Sequence, residues 1–158
     1  MVQKPLSTTP RAGETVVVLT VSPLKETHAK LRGIFAHTNW TMLESQDSSH
    51  AMELLRSHSL PVVICERDLD DGSWSDLLEQ VAKLPAPPLI VVTAGDADEL
   101  LWGEVLNLGG YDVLPKPLEA SEVTRVVSLA WMHWRQKWSV PRHAAGAAGA
   151  STLLAALA

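Results

Sequence analysis

Four short aliphatic runs punctuate the middle of the chain: Val16-Val17-Val18-Leu19, Val62-Val63-Ile64-Cys65, Leu89-Ile90-Val91-Val92 and the shorter Asp112-Val113-Leu114. They are continuous rather than alternating, the pattern of strands covered on both faces. Thr38 to Glu44, with Trp40, Met42 and a charged end, reads as a weaker fifth strand at an edge.

Between these runs the apolar positions step at helical spacing. Leu24, Leu31, Ile34 and Phe35 share one face, with Ser22 as the expected cap and Pro23 in the first turn. Ala51, Leu54, Leu55 and His58 form a second stripe, and Trp74, Leu77, Leu78 and Val81 a third. Leu101, Val105 and Leu108 make a fourth, stopped by Gly109-Gly110. Val123, Val126, Val127, Ala130 and Trp134 line the last helix. Strand and helix alternate five times. That order predicts an α/β fold: a doubly wound, five-stranded parallel sheet with right-handed crossovers. Ligand chemistry in such sheets gathers at the carboxyl ends of the strands. Thr20-Val21, Glu66, Thr93 and Lys116 fall there, and the last three mark a candidate site.

Composition divides the 158 residues into a polar, flexible segment 1–13, a globular domain 14–138 and an Ala/Gly-rich tail 139–158 carrying Leu153, Leu154 and Leu157. A net charge of -5 without a basic stripe argues against nucleic-acid binding. Neither Met1 to Thr15 nor the tail holds an apolar run long enough for a signal peptide or membrane span. Cys65 is the only cysteine, so an intramolecular disulfide is excluded and a reducing cytoplasm is the simplest setting. No histidine is placed to activate it, and the six histidines (28, 37, 50, 58, 133 and 143) lack a close metal-ligand spacing. The first strand is followed by Ser22-Pro23-Leu24, without the glycines of a phosphate loop. Asp68, Asp70 and Asp71 before Gly72 read as turn residues.

From Glu14 to Trp138 the chain resembles the receiver domains of bacterial two-component signalling. The most specific piece is Gly109-Gly110-Tyr111-Asp112-Val113-Leu114-Pro115-Lys116-Pro117, which looks like the family's fifth strand with its Lys-Pro ending. Val91-Val92-Thr93-Ala94 is similar to the fourth strand, and Val62 to Gly72, then Ser73-Trp74, to the third strand and its loop. The resemblance implies a flavodoxin-like fold with strand order 2-1-3-4-5 and a cis Lys116-Pro117 bond. It also implies a phosphorelay chemistry of five groups: two metal-binding acids after the first strand, an acceptor Asp ending the third, a hydroxyl after the fourth and a Lys after the fifth. Phosphoryl transfer depends on positioning and on neutralising oxygen charge, with the metal a main contributor.

This chain departs from that pattern where the chemistry is carried. The metal-acid positions read Thr20 and Val21, which cannot replace a carboxylate pair for a hard cation. The phosphoacceptor position reads Glu66, and the switch-aromatic position, three before Lys116, reads Val113. Only Thr93 and Lys116 remain as phosphate-pocket positions, with Glu66 and Lys116 expected in salt-bridge range. The reading is a degenerate, stand-alone pseudo-receiver: not an enzyme, without cofactor or metal, acting by contact with a signalling partner (a histidine kinase or an output protein) or with itself. A conventional phosphoryl-accepting receiver and a small-ligand binder or enzyme on the same fold are the alternatives. Trp102, Trp131, Trp134 and Trp138 are the candidate interface. Trp134 is expected to pack in the core. Trp131 or Trp138 is expected in water, flanked by the fourth helix around Leu101 to Glu104.

Overall fold

The structure, a computed structural model, describes residues 16–138. The expected N-terminal segment 1–13 and tail 139–158 lie outside the described residues. In chain order the elements are β1 (Val17–Val21), α1 (Lys25–Phe35), β2 (Thr41–Ser45), α2 (Ser48–Ser57) and β3 (Val62–Glu66). A short hairpin follows, β4 (Asp68–Leu69) and β5 (Gly72–Ser73), then α3 (Trp74–Val81), β6 (Leu89–Ala94), α4 (Glu99–Leu108), β7 (Asp112–Pro115) and α5 (Ala120–Trp138). Five parallel strands pair in the order β2-β1-β3-β6-β7, which is 2-1-3-4-5 once the hairpin is set aside.

Strand residues alternate between two cores because successive side chains leave opposite faces of a sheet. Leu19, Val63, Cys65, Val92 and Val113 meet Ala51, Leu55, Leu77, Val81, Leu101 and Val105 from α2, α3 and α4. Val18, Val62, Ile64, Val91 and Leu114 meet Leu31, Phe35, Val123, Val127, Ala130 and Trp131 from α1 and α5. By the same alternation Thr20 and Glu66 face the α1 side. Each fully buried aliphatic side chain contributes roughly 1.5–3 kcal/mol, so both faces are held.

Several local expectations are corrected. The edge strand begins at Thr41, and Trp40 just before it packs against Phe35 with ring centroids 5.7 Å apart. Ser22 does not cap α1. The helix starts at Lys25 after Leu24, and Pro23 lies ahead of its first turn. Leu24, His58 and Leu108 are exposed rather than part of their stripes. In α4 only Leu101 and Val105 are buried; the helix stops at Gly109, whose φ of 105° is the left-handed cap. Gly110 follows because a Cβ there would lie 2.5 Å from Val105 Cγ1.

The aromatic residues of α5 are also redistributed. Trp131, not Trp134, completes the core stripe; Arg135 lies over its ring at 5.2 Å. Trp134 is half-buried and donates its Nε1–H to the Pro87 carbonyl at 3.0 Å. Trp138 is half-buried, with Lys137 over its ring. Because α4 packs into the opposite core, it does not flank Trp131. Among the described residues the exposed large apolar side chains gather on α4 itself, where Leu100 is 82% exposed, Leu106 56%, Leu108 54% and Trp102 36%, with Leu24 apart from them.

Of the loop acids, Asp71 has a structural task. Its carboxylate reaches across to the start of α2, accepting the Ser48 N–H at 3.0 Å, the Ser49 N–H at 3.1 Å and the Ser48 hydroxyl at 2.9 Å. Asp47 caps the same turn through the His50 N–H at 2.9 Å. The Ser48 N–H, the strongest contributor, and the other donors hold the Asp71 carboxyl below the usual aspartate range. A depressed folded-state pKa gives stability that is present above the unfolded-state value and lost as pH falls through the folded one. Asp71→Asn should therefore lower stability at neutral pH, by less than about 1 kcal/mol because solvent screens this exposed carboxylate. The deficit should shrink as pH falls below about 4. Urea midpoints at pH 7 and pH 3 measure it; a deficit of equal size at both would remove the charge from this account.

Candidate functional site

The carboxyl edge of the sheet brings three separate segments onto one carboxylate. Glu66 ends β3 with its side chain 9% exposed. Its Oε2 receives Lys116 Nζ at 2.6 Å. Its Oε1 accepts the Ser22 hydroxyl at 2.8 Å and the Thr27 hydroxyl at 3.1 Å. Lys116 Nζ donates in addition to Thr27 Oγ1 at 2.9 Å, closing a triangle of Glu66, Lys116 and Thr27. Lys116 follows β7, and its own N–H is tied to the Ala94 carbonyl, so the side chain leaves from a fixed backbone point. The next bond, Lys116-Pro117, is cis.

Four other expected site residues are engaged outside this cluster. Register places Val21 beside Cys65. The residue that meets Glu66 from the end of β1 is therefore Ser22. Val21 turns into the α2–α4 core, and Thr20 lies against α1 with its Oγ1 3.0 Å from His28 Nδ1. Thr93 is level with Glu66 in the neighbouring strand, but its hydroxyl donates to the Leu114 carbonyl at 2.8 Å and does not join the cluster. Val113 is fully buried in the α2–α4 core. Nearby Tyr111 is occupied elsewhere, its hydroxyl 2.7 Å from His133 Nδ1.

Ser22, Thr27 and His28 were missed as site residues. The signal was present: Thr27 and His28 extend the buried stripe of Leu31, Ile34 and Phe35 by one turn, so their polar groups must find partners inside. His28 does so through Nε2, 2.8 Å from the Ser22 carbonyl, and Nδ1, opposite Thr20. Glu44 Oε1 lies 3.9 Å from the same Nδ1. On its outer side Glu44 takes Arg32 Nε at 2.7 Å and Nη2 at 3.1 Å. The hydrogen bond with Arg32 is the main reason the Glu44 carboxyl sits below its ordinary range.

Chemically this is a satisfied ion pair rather than an open reaction centre. A buried carboxylate is tolerated because an ammonium and two hydroxyls answer it. A nucleophilic Glu66 would have to give up these contacts, and the end of β1 offers an aliphatic side chain and a hydroxyl where a cation needs carboxylates. Among the described residues no group of His, Cys, Asp and Glu is arranged to hold a metal ion. Cys65, beside Glu66, is inert in this setting. Burial, helped by the Glu66 charge, pushes its thiol well above its ordinary range, and Sγ lies 3.2 Å from the Glu66 carbonyl.

The fold is shared with solved receiver domains. The signal receiver domain of an HD domain-containing protein from Pseudomonas fluorescens Pf-5 superposes with a TM-score of 0.72 at 21% identity, covering 79% of this chain and 93% of that one. The receiver domain of a putative Luxo repressor protein from Vibrio parahaemolyticus gives 0.74 at 16%, covering 80% and 98%. The receiver domain of Saccharomyces cerevisiae Ssk1, solved with the histidine phosphotransfer protein Ypd1, gives 0.66 at 16%, covering 72% and 87%. A comparison with curated proteins gave no match. The response regulator receiver domain family matches residues 18–128, from β1 into α5, and the chain belongs to that family.

Proposed function

We propose that this receiver domain signals without phosphoryl transfer, by contact with a signalling partner. The observation that carries the reading is the closed cluster around Glu66: Lys116 lies on one carboxylate oxygen, while Ser22 and Thr27 fill the other. The acceptor carboxylate is thereby engaged within the domain, and the ammonium that would meet a phosphoryl group is spent on it. The domain is accordingly neither an enzyme nor a cofactor or Mg²⁺ binder. A cytoplasmic setting suits its free, buried Cys65. Among the described residues no helix is long and apolar enough to cross a membrane.

The partner is a histidine kinase, a phosphotransfer protein or an output protein, or a second copy. Ssk1's receiver, crystallised with Ypd1, is one instance of such a contact among the similar folds. On this chain Trp102 and its leucine neighbours on α4 offer the exposed apolar area that such contacts use.

Incubation with acetyl phosphate and Mg²⁺, followed by intact-mass measurement, should leave the mass unchanged. An adduct that forms on the wild-type chain and is lost in Glu66→Gln would overturn the reading.

A further inference from the structure

Opposite the buried Leu101 and Val105, the outer face of α4 carries three rows of side chains spaced four residues apart. Trp102 and Leu106 form one row, Leu100 and Glu104 another, and Glu99 and Gly103 lie in the row between; all six are exposed. Glycine in the middle of a helix is less stable than alanine. Nothing inside the domain asks for it here. A Cβ on Gly103 would meet no atom within 4 Å, and its backbone is not left-handed. What Gly103 does supply is a gap in the middle row. It leaves a groove between two ridges, the shape into which a ridge of a second helix packs.

The charge on this face has one sign. From Leu84 to Pro115 the chain contains Asp96, Asp98, Glu99, Glu104 and Asp112 but no lysine, arginine or histidine. Two of these carboxylates are in use: Asp98 caps α4 through the Leu101 N–H, and Asp112 takes the Val113 N–H. Asp96, Glu99 and Glu104 are exposed and, among the described residues, have no side-chain hydrogen bond or ion pair. Arg67 after β3 and Arg125 on α5 are already paired, with Asp68 and Glu122. Elsewhere the helices mix their charges, as in α1 with Lys25, Glu26, Lys30 and Arg32.

We infer that the outer face of α4 is the docking site for a basic amphipathic helix of a partner protein. Its apolar row lies over Gly103 between Trp102 and Leu100, and its lysines or arginines meet Asp96, Glu99 and Glu104. Charge selects this occupant over the others. A second copy meeting this one through α4 would set the same carboxylates against each other. The segment 144–158 has three leucines but no charged side chain, so it would cover the apolar rows and leave the acids unanswered.

The inference rests on the reading that this domain signals by contact, and names the chemistry of that contact. The probe is a fluorescein-labelled peptide with leucines at helical spacing and lysines and arginines on its other face. Added to the full chain, it should raise the anisotropy to saturation and shift the amide signals of α4. A peptide with glutamates in place of its bases should bind at least about tenfold more weakly. Glu99→Gln/Glu104→Gln should weaken the basic peptide and flatten its salt dependence, and Trp102→Ala should weaken it about tenfold. Gly103→Ala should raise the thermal midpoint by about 3 °C and still weaken binding, opposite signs that a purely structural glycine would not give. The proposal is overturned if neither peptide binds, if both bind equally, or if the amide shifts fall outside α4. It is overturned if Gly103→Ala binds as well as the wild type. A wild-type dimer in sedimentation that Trp102→Ala dissociates would give the face to a second copy. Binding that appears only after Leu153, Leu154 and Leu157 are changed to Gln would give it to the chain's own tail. None of these outcomes tests phosphoryl transfer. An acetyl phosphate adduct lost in Glu66→Gln would instead remove the underlying reading, whatever the peptides do.

Discussion

Lys116→Met should destabilise the domain by about 3 kcal/mol, more than any other single change at the candidate site. The reason is asymmetry in burial. Glu66 is 9% exposed and cannot turn to water, whereas Lys116 is 23% exposed and can. Removing the lysine strands a carboxylate that keeps only the Ser22 and Thr27 hydroxyls. The partial exposure of Lys116 places the loss at the lower end of the range for breaking a buried pair. Removing the other partner, Glu66→Gln, frees an ammonium that reorients into solvent, and about 1–2 kcal/mol is expected. The double variant Glu66→Gln/Lys116→Met should cost less than the sum, because the stranded charge is gone. Urea unfolding of the four proteins measures the cycle. Equal single losses that simply add would show that the pair is not a coupled unit.

Trp131→Ala should cost about 3–5 kcal/mol, whereas Trp102→Ala should stay within about 1 kcal/mol. Both were read as interface residues in the sequence, and burial separates them. Trp131, on α5, is 6% exposed within the α1–α5 core, so its loss leaves a cavity there. Trp102 gives up ring area that already faces water in part. The functional consequences are opposite. Trp131→Ala should weaken partner capture only by unfolding the domain, and Trp102→Ala should weaken it in a chain whose thermal midpoint is nearly unchanged. A Trp131→Ala protein of wild-type stability would place that ring outside the core.

Strands such as Val62–Cys65 and Leu89–Val92 were readable because a strand covered on both faces needs apolar residues at every position, a local property. The Glu66–Lys116 pairing was readable because parallel topology sends every strand's carboxyl end to one edge. The remaining partners of Glu66 were not. Ser22 and Thr27 reach it from 44 and 39 residues away, and a serine and a threonine near a helix start read locally as caps. The place of Ser22 has a similar origin: β1 runs through Val21, two residues beyond its obvious aliphatic run, and only pairing with β3 brings Ser22 level with Glu66. The exchange of Trp131 for Trp134 reflects a helical stripe that admits either ring at spacings of three and four. A carbonyl from another loop, that of Pro87, decided it by giving the Trp134 indole a polar partner at the rim.

The far edge of the sheet limits the ways in which this domain can associate. β7 is four residues long, and it ends at Pro115, which has no N–H to offer. The Val113 N–H is 2.8 Å from the carboxylate of Asp112, the residue before it. An incoming peptide strand would find little backbone there to template on, so sheet extension, the route to edge-to-edge polymers and to strand-addition complexes, is blunted on this side. Recognition at this end is left to side chains on the helices, and a partner must match shape and chemistry there rather than borrow a ladder of main-chain hydrogen bonds.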